Sequence, residues 1–593
     1  MNYKTLCESF EKIESVSSRN EISALLAEIF KNTTPHEIDK VIYFLQGRIT
    51  PKYVPIEFSI GEKQVLKIIS EFFKIDLAEV NKSYSQIGDM GKLMLNLYTD
   101  HLNLGKIEDY SIDDIYHKLK ALQAINGENS TNLKSDFILQ LIAHLDPLSS
   151  KYLLRIILGN VGLGLSDKSI IDGLSIMCKG DKSIRDEIEF AFGRRCDLGH
   201  IAKELKLLFI NSSVGFENYL NALTIIPGIP VASKLVEREK NTESVFKRLG
   251  ECFIQPKYDG LRCQAHVYKN EGGDIEIKLF SRNLEEFTDS FPDVCSELKI
   301  LFKDSGEQNM VLDSEVIGVN IETGKFLQFG ETMKRKRKHS VDEYVKNIKV
   351  QMHVFDLLYF KKDLLETKIE DRFKILENIF SRKNDSILKL SETILANSSD
   401  VMAQYFEKYV MDDALEGLIA KKLGTIYEPG TRNFDWIKLK RSSDSALNDS
   451  VDAVVLGYYF GKGARSSLGF GKLLVGIYDP ISDEYLSLCK VGNGFKDEDF
   501  KNYKSQLDKI KADPELVQKL YTKIPKQLQP DYWVEPRITT EIEADEITVS
   551  DLHSAGFSLR FPRIKIWGRD KDATQTTTVE ELKNMFNLRY GKK

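Results

Sequence analysis

The chain has 593 residues, 42% hydrophobic and 29% charged, with a formal net charge of −6. That length is too great for one hydrophobic core and implies three or four domains of a soluble globular protein. The negative balance excludes a uniformly basic nucleic-acid coat, so a DNA-binding surface requires basic residues gathered on one face.

The amino-terminal MNYKTLCESFEKIE has acidic residues and no apolar core, and no apolar run approaches membrane-spanning length. The seven cysteines (Cys7, Cys178, Cys196, Cys252, Cys263, Cys295, Cys489) form no C-x-x-C pairs. That argues against a zinc module or a disulfide scaffold and for a reducing, cytosolic compartment. Roughly the first 215 residues show helical periodicity, as in EISALLAEIF over 21–30, with the break Asn32-Thr33-Thr34-Pro35 expected to cap the next helix. An all-α domain over 1–220 is predicted. Inside it, the Gly-rich stretch Gly159 to Ser166 precedes a helix predicted to begin near Asp167. Gly162 and Gly164 can bring backbone amides to a phosphate at that helix terminus, or simply make a tight turn between helices.

Pro227-Gly228-Ile229-Pro230 marks a linker, after which strand and helix signals mix up to about Arg441, and a central domain over 221–444 is predicted. The polar segment Ser442 to Asp449 is a second connection. Beyond it, DAVVLGYY over 452–459 and KLLVGIY over 472–478 read as strands of a small β domain spanning 445–593, with a capped helix near 578–586. The fold class is multidomain α+β.

Chemistry concentrates in the central segment. Lys257 opens the string KYDGLR, whose four fixed residue types would arise by chance on the order of once per hundred chains of this size, so its surroundings decide. The strand 311–317 alternates and puts Asp313 and Glu315 on one face. The apolar run 354–359 suits a strand buried on both sides and can present Phe355 as a stacking surface. LEGLIAKK over 415–422 brings Glu416, and Trp436-Ile437-Lys438-Leu439-Lys440 aims two ammonium groups at one point. An ordinary lysine, with a pKa of about 10.4, is protonated at neutral pH. Crowding by Arg262, Lys438 and Lys440 is expected to lower the pKa of Lys257 and to stabilise charge on a phosphate under attack.

Further strings follow in order: RKRK at 335–338, YEPGTRNFDWIKLK from Tyr427, VGNGFKDEDF from Val491, WVEP from Trp533, ADEIT from Ala544 and LRFPR from Leu559. With the Lys257 string they resemble the ATP-dependent DNA ligases of the three-domain archaeal and eukaryotic type, in the covalent nucleotidyltransferase superfamily. The resemblance covers essentially the whole chain. It implies a helical DNA-binding domain, an adenylation domain and an OB-fold β-barrel domain. The implied activity is nick sealing in duplex DNA through lysyl-AMP and DNA-adenylate, in replication, repair and recombination. ATP and Mg²⁺ are the implied cofactors, with Mn²⁺ an alternative to Mg²⁺, and nicked double-stranded DNA the partner of a cytoplasmic monomer. Lys257 is assigned to the covalent adduct. Gln255, Arg262, Arg282, Glu315, Phe355, Arg432, Lys438 and Lys440 go to the nucleotide, and Asp259, Glu315 and Glu416 to the metal. Arg560 and Arg563 go to the pyrophosphate side. Arg282, Arg335, Lys336, Arg337, Gly162 and Gly164 go to DNA.

Two departures from the family stand out. Gln255 occupies the place where many relatives carry Glu to read the adenine amino group, and its carbonyl accepts that bond without charge assistance. After LRFPR, Ile566 and Gly568 stand where two basic side chains are expected, and a strand would point Lys565 and Arg569 to the opposite face unless a bulge corrects the phase. The run Lys334 to Lys338 reads as a nuclear-localisation signal, a solvated loop or a phosphate-contacting loop, and its place inside the catalytic segment favours the last. No glutamine-plus-paired-aromatic peptide marks a sliding-clamp contact, and that partner stays open. An RNA ligase or capping enzyme would share the Lys257 chemistry but lacks the long helical domain and the WVEP-to-LRFPR stretch. An NAD-dependent ligase would need a four-cysteine zinc module.

Overall fold

The computed structural model describes residues 1–100, 107–211, 215–327, 329–336, 341–381, 386–411, 415–440, 450–461, 465 and 468–590. The connection Ser442 to Asp449 and Arg337 lie outside them. The chain gathers into two compact units, one of 1–60, 108–134 and 165–443, the other of 61–107, 135–164 and 444–593.

The first unit begins with helices Tyr3–Glu14, Arg19–Asn32 and Ile38–Leu45, joined by Ile112–Ala124, Asp167–Lys179, Arg185–Arg194 and Leu198–Ile210. The helix predicted near Asp167 starts there, with Ser166 as its N-cap. It packs close to Arg19–Asn32 because residue 173 is glycine: a Cβ would stand 2.7 Å from that of Leu26. The expected cap at Thr34 works in the reverse sense. The Glu37 carboxylate accepts the Thr34 N–H at 3.1 Å and its hydroxyl at 2.8 Å.

The linker is fastened to the strand Leu261–Lys269. Gly228 N–H donates to His266 Nδ1 at 3.0 Å, so the Nε2 of that ring carries the proton and donates to Gln264 Oε1 at 2.9 Å. The Gln264 amide also exchanges bonds with Val231, accepting its N–H at 2.8 Å and donating to its carbonyl at 3.0 Å. His266 is fully buried, and burial lowers its pKa to about 3, so it stays neutral.

Two sheets follow. The strands are β1 (Leu235–Arg238), β2 (Cys252–Lys257), β3 (Leu261–Lys269), β4 (Ile275–Phe280), β5 (Met310–Val319), β6 (Lys349–Phe360), β7 (Lys362–Asp363), β8 (Leu388–Leu390), β9 (Ile394–Ala396), β10 (Gly417–Lys422) and β11 (Arg432–Lys440). One sheet runs β1-β11-β10-β2-β9 and the other β4-β3-β5-β6-β7, with β8 on β6. Leu261, Ala265, Leu312, Val316 and Val354 of the second sheet meet Val294, Leu298 and Leu301 of helix Pro292–Asp304 and Leu376 of helix Ile369–Phe380 in one apolar core.

The second unit holds helices Glu62–Phe73, Leu77–Ile87, Met90–Asp100 and Pro147–Ile157 and the strands β12 (Val451–Tyr459), β13 (Lys472–Asp479), β14 (Glu484–Val491), β15 (Tyr532–Trp533), β16 (Thr539–Glu543), β17 (Glu546–Val549), β18 (Phe557–Arg560) and β19 (Arg563–Trp567). The order is β14-β13-β12-β16-β19, with β15 on β12 and β17–β18 a separate hairpin. The ladder is open, where the resemblance implies a barrel. Its two edges approach where Ile564 N–H donates to the Asn493 carbonyl at 3.0 Å. Gly494 permits that approach, since a Cβ there would lie 2.3 Å from the Ile564 carbonyl oxygen. The expected terminal helix is Val579–Tyr590, and Thr578 caps it: Glu581 N–H donates to its hydroxyl at 3.1 Å. No helix among the described residues is long and apolar enough to cross a membrane.

Candidate active site

β2 ends at Lys257, and the chain turns through Tyr258-Asp259-Gly260 into β3. A Cβ at Gly260 would stand 2.4 Å from the Val316 carbonyl oxygen, so glycine is what lets this turn lie against β5. Lys257 pairs in register with Gly417 of β10, and its carbonyl accepts the Glu416 N–H at 3.0 Å. Its Nζ donates to one oxygen of the Glu416 carboxylate, and Lys440 of β11, also opposite Gly417, takes the other. Burial pushes the Glu416 carboxyl up, but the two ammonium groups outweigh it and hold the group below the usual carboxylate range. Lys438 is lowered by burial first and then by Lys440 and Lys257. The alternation thus brings the lysines together as expected, while the direct partner of Lys257 is a carboxylate rather than a cation.

Arg262 lies opposite Glu315 in the β3–β5 register. Its guanidinium grips the fully buried Asp313 at 3.0 and 2.5 Å, and the Tyr427 hydroxyl donates to the same carboxylate at 3.0 Å. Burial opposes the Arg262 charge, yet Asp313 more than compensates and raises its pKa. Arg282, in the turn after β4, is lowered by partial burial and then by the charges of Arg262 and Arg432. Burial raises the Glu315 carboxyl to about 7, with Lys257 and Arg262 opposing and Glu416 assisting.

Phe355 is the extra residue of a β-bulge: Asp313 pairs with Asp356 and Ser314 with Val354, leaving Phe355 unpaired between them. A bulge re-aims its side chain, and here the ring lies 5.3 Å from the Arg262 guanidinium. Gln255 of β2 is buried, and its amide donates to Thr393 Oγ1 at 2.8 Å and the Phe355 carbonyl at 3.3 Å. The donor end of the amide is therefore tied to Thr393 and to the Phe355 backbone. Asp259 is half-buried in the β2–β3 turn. Among the described residues no three His, Cys, Asp or Glu side chains gather into one metal-holding group.

The remaining expectations divide. Arg335 does not belong with the DNA contacts. It is fully buried, donates to Asp293 at 2.7 Å and the Ile348 carbonyl at 2.8 Å, and lies 5.1 Å from the Phe291 ring. Burying a guanidinium requires such partners, and they fix it inside the unit. Arg335→Ala is expected to cost roughly 2–4 kcal/mol by thermal melting while leaving DNA affinity per folded molecule unchanged. An unchanged melt with weakened binding would restore the DNA-contact role. Lys336 pairs with Glu285 at 2.6 Å and stays partly exposed. In the second unit, Gly162 (φ +77°) rests against the Arg155 guanidinium, its N–H bonded to Asn160 Oδ1 at 3.1 Å, while a Cβ on Gly164 (φ +66°) would meet open space. Arg560 pairs with Glu546 at 3.2 Å and Arg563 with Glu543 and Asp545 at 3.3 Å. The β16–β19 register carries a bulge at Lys565, which reaches Glu541 at 3.0 Å, and Arg569 binds the same carboxylate.

Sequence reading missed Asp313 as the anchor of Arg262, together with Thr393 and Lys421. Asp313 alone carried a signal, its shared face with Glu315.

Comparison with known proteins accords with this geometry. Residues 233–440 match the family described as ATP dependent DNA ligase domain, 2–175 the DNA ligase N terminus, and 466–571 the ATP dependent DNA ligase C terminal region. The chain is 37% identical to a protein named "Probable DNA ligase" from Dictyoglomus turgidum, over 99% of this chain and 97% of that one. It is 34% identical to a "DNA ligase" from Saccharolobus solfataricus, over 100% and 98%. The solved structure named "Pmar-Lig_Pre." shares the fold, with a TM-score of 0.57 at 18% identity over 95% of this chain and 99% of that one. Three matches in chain order, together with relatives that align from end to end, lead to one conclusion: the chain belongs to the ATP-dependent DNA ligase family.

Proposed function

We propose that the chain seals nicks in duplex DNA in three steps, with Lys257 as the nucleophile. The Lys257 amine bonds to the α-phosphorus of ATP as the bond to pyrophosphate breaks. AMP then passes to the 5′-phosphate at a nick, and the 3′-hydroxyl displaces it to close the strand. The observation that carries this reading is the position of Lys257 at the end of β2, its Nζ on Glu416, with Lys440 on the same carboxylate and Lys438 close enough to feel the charge of both lysines. Attack requires the neutral amine, and the Glu416 carboxylate is the nearest acceptor for its proton. The surrounding cations stabilise the charge that builds on the α-phosphate.

Phe355 offers its ring to the adenine, and the Gln255 carbonyl accepts from the adenine amino group. Glu315 and Glu416, coupled closely enough that the charge of one raises the pKa of the other, fit a divalent cation beside the phosphates. Mg²⁺ or Mn²⁺ held there would neutralise triphosphate charge. Residues 1–220 grip the DNA, 221–444 carry adenylation and 445–593 form the OB-like domain, with the protein acting as a monomer. The test is to incubate the protein with ATP labelled at the α-phosphate and then with nicked DNA or nicked RNA. The label should pass to protein and then to the 5′ end of DNA; label that never leaves the protein, or leaves only to RNA, would overturn the reading.

A dependent expectation concerns base choice. Gln255→Glu should raise the preference for ATP over GTP in kcat/KM by up to about tenfold, the margin of a charge-assisted over a neutral hydrogen bond. It should also lower the melting temperature, because a carboxylate cannot donate to the Phe355 carbonyl. An unchanged nucleotide ratio would show that residue 255 does not read the base.

A further inference from the structure

Behind the Phe355 ring, on β10, stands Lys421. Its side chain is 1% exposed, so its ammonium does not reach solvent. Its Nζ donates to the Phe355 carbonyl at 2.9 Å and lies 5.0 Å from the Phe355 ring centre and 4.0 Å from that of Trp436. The nearest charge is Asp356 at 3.7 Å, but that carboxylate is already held in a fork by the buried Arg372, at 2.8 and 3.1 Å. Charge balance in the wall is therefore met without Lys421, and a buried cation beyond what balance needs is costly unless its hydrogen bonds do something. The bond it makes goes to the carbonyl of the bulged residue, outside the β5–β6 ladder. The same carbonyl accepts the second bond from the Gln255 amide.

We propose that Lys421 is a positioning residue for nucleotide recognition: by holding the Phe355 carbonyl it fixes the stance of the stacking ring and, through the shared acceptor, the orientation of the Gln255 amide. The inference rests on the reading that Phe355 and Gln255 face the adenine. Burial lowers the Lys421 pKa to about 8, with Asp356 opposing, as a desolvated ammonium kept by few partners should behave.

The experiment compares Lys421→Met, which removes the donor at similar length, with Lys421→Gln, which keeps an N–H donor without the charge, and with Phe355→Leu as reference. Self-adenylation is measured in single turnover across ATP and GTP concentrations, and sealing of pre-adenylated nicked DNA is measured separately. Lys421→Met should raise the apparent ATP constant about tenfold with little change in the saturating rate, erode ATP-over-GTP preference and leave sealing of the pre-adenylated nick unchanged; Lys421→Gln should restore most of the loss. If Lys421→Met does not fold, Lys421→Gln against wild type carries the test, with an expected rise of a few-fold. A raised constant in Phe355→Leu with unaltered constants in both Lys421 variants would overturn this proposal alone. An unaltered constant in Phe355→Leu would overturn the stacking reading and this proposal with it. Equal loss in adenylation and in pre-adenylated sealing would reduce Lys421 to a structural residue.

Discussion

Lys257→Ala is expected to abolish the acid-stable protein–AMP adduct altogether while leaving binding to nicked DNA largely intact. The amine at the end of β2 meets Glu416 from that turn, and Lys440, which shares the carboxylate, enters from β11. A covalent step lost with its nucleophile cannot be recovered by the remaining cations, which stabilise charge but form no bond to phosphorus. The fold should survive, because Glu416 keeps Lys440 and the Lys257 side chain is already partly exposed. Mass spectrometry of the protein after incubation with ATP and magnesium decides the matter. An adduct on any other lysine would remove Lys257 from the mechanism.

The second large effect divides the reaction. Arg560→Ala combined with Arg563→Ala should slow self-adenylation by about a hundredfold or more and leave the sealing of pre-adenylated nicked DNA near its normal rate. The reason is that pyrophosphate is present only in the first step, so groups that stabilise its departure contribute nothing to later transition states. The structure makes the double variant a clean probe. Both arginines lie on their own sheet in partly exposed pairs with Glu546, Glu543 and Asp545 at 3.2–3.3 Å, and such pairs contribute about 1 kcal/mol or less to stability. Equal loss in both assays would mean that these arginines hold DNA or the fold instead.

What the sequence made legible was local. The hexapeptide at Lys257 is a contiguous string, legible through its resemblance to the family, while the alternation that pairs Asp313 with Glu315 and Lys438 with Lys440 and the helix start at Asp167 follow from periods of 2.0 or 3.6 residues and from capping chemistry. What escaped depends on partners distant in the chain. Arg335 reads as one more cation in a solvated run, and only its contact with Asp293, 42 residues away, puts it inside. Phe355 reads as a regular strand position; the bulge that turns it out is a property of the β5–β6 register. Glu416 reads as a metal ligand, and its bridge between two lysines arises because β2 and β11 flank β10 from opposite sides.

The fastening of the linker bears on where the catalytic piece can be cut. The match to the ligase domain begins at residue 233, yet Gln264 and His266 find their partners at Gly228 and Val231. A fragment starting at Ser233 would leave an amide and an imidazole stranded in the interior, at roughly 1–3 kcal/mol for each unmet group. The natural edge of an autonomous catalytic fragment therefore lies ahead of Gly228, within the linker, and not at the residue where the family match begins.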